Sequence, residues 1–277
     1  MFPMVDSSQS AHKVKVITVT GGKGGVGKTS ISLNLAVALS LLGKKVMLFD
    51  ADLGLANIDV MLGLKVERNL GHVLRGECDL QDIIQTGPHG LMIIPASSGL
   101  KEMAELSVEQ HAGLIRAFSS LKVDVDYLIV DTAAGISDMV LSFCRAAQDV
   151  LMVVCNEPTS IADAYAQMKV LSRDYGVKKF KIIGNQMHSM DEGKIMFQKL
   201  VMVAERFLDT TLELVACIPV DVNMRKSIRQ RSCVVDLYPS SPASRAFKTL
   251  ASRVTTWPVP DVAGGHLQFF VENLIGA

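Results

Sequence analysis

Residues 21–29 read Gly21-Gly22-Lys23-Gly24-Gly25-Val26-Gly27-Lys28-Thr29, GGKGGVGKT, and this stretch decides the fold. From Gly22 to Thr29 it satisfies G-x-x-x-x-G-K-[ST], the spacing of a loop that wraps phosphate. Glycines let successive backbone N–H groups point inward at phosphate oxygens. The N-terminus of a following helix adds partial positive charge. Lys28 is placed to reach the β- and γ-phosphates and Thr29 to put its hydroxyl on Mg²⁺. Gly22, Lys23, Gly24, Gly25, Val26, Gly27, Lys28, Thr29 and Ser30 are the expected nucleotide contacts.

The flanking sequence supplies the context such a loop needs. Val14–Thr20 is short and β-branched and reads as a strand. Ser30–Leu42 is long and Ala/Leu-rich, and Gly43 ends it as a helix C-cap would. Lys45–Asp50, Leu91–Pro95, Tyr127–Asp131, Val150–Cys155, Phe180–Gly184 and Leu214–Ile218 are further runs of strand length. Glu109–Leu121, Ile161–Tyr175 and Met196–Phe207 read as helices between them. Continuous apolar runs mark strands covered on both faces. The expectation is an α/β fold of P-loop NTPase type, a mostly parallel twisted sheet with helices on both faces. Residues 13–256 would form this domain, after a flexible N-terminus over 1–12. Trp257-Pro258-Val259-Pro260 and Gly264-Gly265 make 257–265 a linker.

Composition narrows the function. The 277 residues are 49% hydrophobic, enough for a full core and too apolar for a disordered chain. Lys+Arg and Asp+Glu are both 28, so no overall field draws the chain to nucleic acid. Cys78, Cys144, Cys155, Cys217 and Cys233 include no CxxC pair and read as reduced structural thiols. There is no secretion signal and no run of about 20 apolar residues, so a cytoplasmic location is expected.

Carboxylates stand where chemistry requires them. Asp50-Ala51-Asp52 and Asp131 end apolar strands, at the edge where open α/β sheets bind ligands. A carboxylate there orients a water or holds a metal's shell; capping a turn is the plainer alternative for Asp50 and Asp52. Asp131, in YLIVDTAAGI, matches a Walker B aspartate binding Mg²⁺ through water. After the strand ending at Gly184 comes Asn185-Gln186-Met187-His188, without the lysine and aspartate of a guanine-reading NKxD, which favours ATP.

The second lysine in KGGVGKT resembles the deviant Walker A family, which includes MinD, ParA and the nitrogenase iron protein. The resemblance implies that Lys23 reaches across a homodimer to the partner's ATP. It gives Asp52 the attacking water, Asp50 a place in the Mg²⁺ shell, and Asn185, Pro219, Val220 and Asp221 places along the adenine. Lys23, Lys28 and Asp52 are then the catalytic set. Where MinD-like proteins often carry proline, this chain has Ala133.

Longer strings, DADLGLANIDVMLGL, LSVEQHAGLIRAFS, CNEPTSIADAYA and WPVP…GHLQFFVENLIGA, are similar to the FleN/FlhG family of flagellar-number regulators. What that implies is a slow ATP hydrolase that binds the sigma-54-dependent master transcription activator of flagellar genes and restrains it. Work alongside an FlhF-type GTPase is also implied. Some relatives stimulate that GTPase through an N-terminal DQAxxLR-like stretch, which Met1–His12 lacks. The alternative is a positioning ATPase, for septum placement or DNA partition. A third, iron–sulfur assembly, is disfavoured by the missing CxxC.

Leu267, Phe270, Val271, Leu274 and Ile275 recur with helical spacing, so an amphipathic helix is expected over 266–277. It suits peripheral contact with the inner face of the cell membrane, docking on a partner, or packing on its own domain. No Lys or Arg follows Arg253, so anionic lipid would lose roughly 1 kcal/mol per basic residue of attraction. Arg225, Lys226, Arg229 and Arg231 cluster after the base loop; a solvated face is the expectation, and direct DNA binding is not.

Overall fold

The computed structural model describes residues 13–54, 56–96, 108–259 and 268–270. Its strands are β1 (Lys15–Thr20), β2 (Val46–Ala51), β3 (Gln85–Thr86), β4 (Met92–Ile94), β5 (Tyr127–Thr132), β6 (Asp149–Val154), β7 (Lys179–Met187) and β8 (Thr211–Pro219). They form one sheet in the order β3-β4-β2-β5-β1-β6-β7-β8. Every neighbouring pair is parallel except β3 with β4. β1 therefore lies between β5 and β6, and the loop leaving Thr20 emerges in the middle of the sheet's carboxyl edge. Register pairs Asp50 with Asp131, and Asp131 with Val19, so the carboxylates stand beside that loop.

The helices explain why the strands are apolar throughout. One face carries α1 (Lys28–Leu41) and, from the far end of the chain, Pro242–Val254. α1 is sealed between sheet and helix: Ile31, Leu33, Leu35, Val37 and Leu39 are fully buried with Phe247, Leu250 and Val254. It is consequently apolar nearly all round. Its one buried amide is used, because Asn34 Oδ1 accepts from the backbone N of Val234 (2.9 Å) and Val235 (3.4 Å). Gly43 closes α1 at φ 76°, where a side chain would be strained.

The opposite face carries Val108–Ala117, Asp138–Ala146, Pro158–Tyr175 and Met190–Phe207. Two helices begin earlier than their hydrophobic spacing indicates. Pro158 suits a first helical turn, and Ser189 Oγ accepts from Glu192 N at 3.1 Å to cap the other. Short helices at Ile58–Leu62 and Leu70–Leu74, and the antiparallel β3, fall between the expected strands.

At the far end, Trp257 packs beside the α1 cluster under the Lys181 ammonium, 4.4 Å from the ring centroid, and Pro258 O accepts from Lys15 Nζ at 2.6 Å. The start of the expected linker thus lies on the body. Of the expected helix over 266–277, Leu267, Val271, Leu274 and Ile275 lie outside the described residues. Gln268–Phe270 form a turn rather than a helical segment, with Phe270 at φ 52°. Phe269 and Phe270 are both buried against Phe118, at 5.0 and 6.0 Å between ring centroids. Among the described residues no helix is long and apolar enough to cross a membrane.

Candidate functional site

The phosphate loop spans β1 and α1. Gly25 (φ 78°) and Gly27 (φ 94°) take left-handed conformations that let the backbone curl around a small volume. Gly22 is a glycine for another reason: a Cβ there would sit 2.3 Å from the carbonyl carbon and oxygen of Asp163. The loop borders a cavity of about 530 Å³ lined by Gly24, Gly25, Gly27, Lys28, Thr29, Ser30, Asp52, Asn57, Ala133 and Ala134. A larger groove, about 630 Å³, runs between residues 73–82 and 117–122, but it has no phosphate-binding loop. Chemistry rather than size identifies the site.

Lys28 is buried, with its ammonium 3.5 Å from the carbonyl of Lys23. Burial lowers its pKa, while the charges of Asp131 and Asp52 pull the other way. Asp131 is fully buried at the end of β5. Burial pushes its pKa up to about 6, against the Ser32 hydrogen bond, the nearby Thr29 hydroxyl and the charge of Lys28. Ser32 Oγ donates to Asp131 Oδ1 at 2.7 Å, while Oδ2 has no hydrogen-bond partner among the described residues. A buried carboxylate oxygen left open beside a threonine hydroxyl and a phosphate cavity fits a hard divalent cation with its water.

Asp50 faces the loop that follows β2. Its oxygens accept backbone N–H bonds from Asp52 (3.2 Å), Asn57 (3.0 Å) and Ile58 (3.1 Å). Burial and the nearby Asp131 charge raise its pKa to about 8 despite those bonds. Asp50 thus ties down the segment that brings Asp52 and Asn57 to the cavity. Across the cavity, Gly135 (φ 96°) donates its N–H to Gly21 O at 3.3 Å, which anchors the turn containing Ala133.

The expected base-side residues lie at the ends of β7 and β8. Asn185 Nδ2 donates to Val26 O at 2.7 Å, so it braces the phosphate loop. Pro219 ends β8 and Val220 is exposed. Asp221 caps the helix Val222–Arg229 through Asn223 N (2.9 Å) and also accepts from Ala243 N (3.1 Å).

Lys23 is not among the residues lining the phosphate cavity. Its ammonium donates to Glu157 Oε2 at 2.5 Å and to Thr159 Oγ1 at 3.0 Å. The Glu157 hydrogen bond raises its pKa.

Sequence reasoning missed Ser32, Asn57, Glu157 and Thr159. Ser32 had a signal, a hydroxyl one helical turn after Lys28 on a largely apolar helix. The other three had none, because the turns that bring them to the loop are set by tertiary packing.

A family model described as "ParA: NUBPL iron-transfer P-loop NTPase" matches residues 12–255. The antiactivator FleN of Pseudomonas aeruginosa is 54% identical over 266 residues, covering 96% of this chain and 95% of FleN. The flagellum site-determining protein YlxH of Helicobacter pylori is 35% identical, covering 86% of this chain and 80% of YlxH. Among solved structures, the septum site-determining protein MinD of Pyrococcus horikoshii, complexed with Mg-ADP, superposes with a TM-score of 0.72 at 26% identity, covering 88% of this chain and 96% of MinD. With its phosphate loop, strand-end carboxylates and sheet order, the chain belongs to the ParA/MinD family of P-loop ATPases, among the flagellar-number regulators of FleN type.

Proposed function

We propose that this protein is an ATP-dependent dimeric switch that restrains flagellar number by binding the master transcription activator of flagellar genes. The observation that carries the reading is the division of labour between two lysines of one loop. Lys28 serves the subunit's own phosphate cavity, while Lys23 stands outside it at the surface. A second copy carrying ATP gives that cation a use. The similarity to an antiactivator, FleN, supplies the kind of partner.

In this account the loop N–H groups and Lys28 bind the triphosphate, and the partner copy's equivalent of Lys23 completes charge neutralisation on the transferring phosphoryl group. Asp52 orients the attacking water, held in place by the Asp50 hydrogen bonds to its loop. Thr29 and Asp131 would hold Mg²⁺, with Asp50 behind them, and the ion supplies further charge neutralisation when bound. Asn185, Pro219, Val220 and Asp221 border the adenine. Hydrolysis to ADP and phosphate ends the dimer's lifetime, so turnover is slow. Peripheral membrane contact through 266–277 and work beside an FlhF-type GTPase belong to the same proposal.

The test is capture of the purified activator by ATP-loaded protein, beside a chromosomal DNA control. Capture that requires ATP and is lost in Lys23→Ala is expected; capture that ignores nucleotide contradicts the switch. The second reading, a positioning ATPase on DNA, draws on Arg225, Lys226, Arg229 and Arg231. All four are exposed, and none has a carboxylate partner among the described residues. ATP-dependent retention on DNA without activator capture would favour it.

A further inference from the structure

The phosphate loop is joined to the helix Pro158–Tyr175 at three points. Gly22 packs on the Asp163 backbone so closely that no Cβ fits. Gln167 Nε2 donates to Thr20 Oγ1 at 2.7 Å, both residues fully buried. The third joint is Lys23 with Glu157 and Thr159, and it differs from the others in being open to water. The Lys23 and Glu157 side chains are 37% and 59% exposed. It is the joint that opens without unpacking the core.

Glu157 is the N-cap residue of that helix. A carboxylate at a helix N-terminus is stabilised by the helix dipole, so Glu157 keeps a favourable setting when its lysine departs. Lys23 has no such freedom. The ammonium spends two of its three N–H donors on Glu157 and Thr159, leaving one for phosphates held by another copy. Full engagement of those phosphates then breaks two such pairs, one in each subunit.

We propose that Glu157, with Thr159, is a positioning residue that competes for Lys23, keeping its ammonium within its own subunit until a triphosphate bound by a second copy displaces it. This rests on the trans-acting role of Lys23 proposed above. The isolated subunit is thereby biased against pairing, and ATP supplies the stronger anion that reverses the bias. Exposed ion pairs each correspond to roughly a 1.4- to 5-fold effect on an equilibrium, so two of them shift dimerisation by roughly 2- to 30-fold.

The experiment is sedimentation equilibrium of the full chain with Mg²⁺ and a non-hydrolysable ATP analogue, comparing wild type, Glu157→Gln, Thr159→Val, Lys23→Ala and the Lys23→Ala/Glu157→Gln double variant. Glu157→Gln should tighten the dimer by roughly 2- to 30-fold, with Thr159→Val tightening it less. The double variant should stay as monomeric as Lys23→Ala, an outcome that a merely structural role for Glu157 does not produce. If Lys23→Ala is monomeric but Glu157→Gln and Thr159→Val dimerise no more tightly than wild type, the competition is refuted while the trans-lysine stands. If Lys23→Ala dimerises as tightly as wild type, the trans-lysine itself is wrong and the competition falls with it.

Discussion

Asp131 is a fully buried carboxyl whose Oδ1 accepts from Ser32 and whose Oδ2 has no partner among the described residues, and that burial has a measurable cost. Its folded-state pKa is raised to about 6, above the value of 3.8 expected for an accessible aspartate. Between these values the folded protein holds a proton that the unfolded chain has lost. The group therefore disfavours folding increasingly as pH rises from about 4 through 6, and then to a constant extent. Asp131→Asn should raise the melting temperature of the nucleotide-free, Mg²⁺-free protein more at pH 8 than at pH 4.5, by calorimetry; an equal change at both would contradict the burial cost. Asp52 gives a cleaner kinetic test. Asp52→Ala should bind ATP and form dimers but hydrolyse at least about 100-fold more slowly, as loss of a positioned water-orienting group implies. Wild-type turnover in that variant would remove Asp52 from the mechanism.

Within the phosphate loop, glycines of equal appearance have unequal reasons. Gly22→Ala pushes a methyl into the Asp163 backbone, where neither side yields cheaply. It should destabilise the protein by about 1–3 kcal/mol in urea unfolding, the usual cost of overpacking. At Gly24 a methyl would meet nothing within 4 Å, and φ is not left-handed, so Gly24→Ala should unfold within about 0.5 kcal/mol of wild type. Equal losses in both would undo the packing argument. The same contrast measures what the sequence makes legible. The loop, its strand and helix, and the strand-end positions of Asp50, Asp52 and Asp131 follow from spacing, because local geometry dictates those residue types. Helix starts read late where Pro158 opens the first turn and Ser189 caps, since hydrophobic periodicity is silent about helix starts. Pro242–Val254 has a legible pattern that the strand-and-helix reading did not use: Ala243, Phe247, Leu250 and Val254 recur at i, i+4, i+7 and i+11 behind a Ser241 cap. Only the structure shows that this face packs on α1. That Asp50 organises a loop, Asn185 braces Val26 and Glu157 holds Lys23 depends on contacts between distant segments, which no short string encodes.

At the scale of the whole molecule, the tail and the dimer each make a separate demand. Phe269 and Phe270 join Phe49, Phe118 and Phe143 in one aromatic cluster on the side of the sheet opposite α1. Removing Leu267–Ala277 should therefore cost about 3 kcal/mol or more of stability, the scale of a buried phenylalanine lost from a core. If unfolding is unchanged, the tail contributes nothing to the body in solution. Liposome sedimentation of the same variant tests membrane contact separately, with reduced sedimentation expected. The central claim is that ATP joins two copies through a lysine each lends the other. It is tested most directly by light scattering on wild type and Lys23→Ala with Mg²⁺ and a non-hydrolysable ATP analogue, after confirming that both bind the analogue equally. Wild type should double its mass on adding the analogue and Lys23→Ala should remain a single chain; a Lys23→Ala variant that doubles its mass alongside wild type would contradict the account.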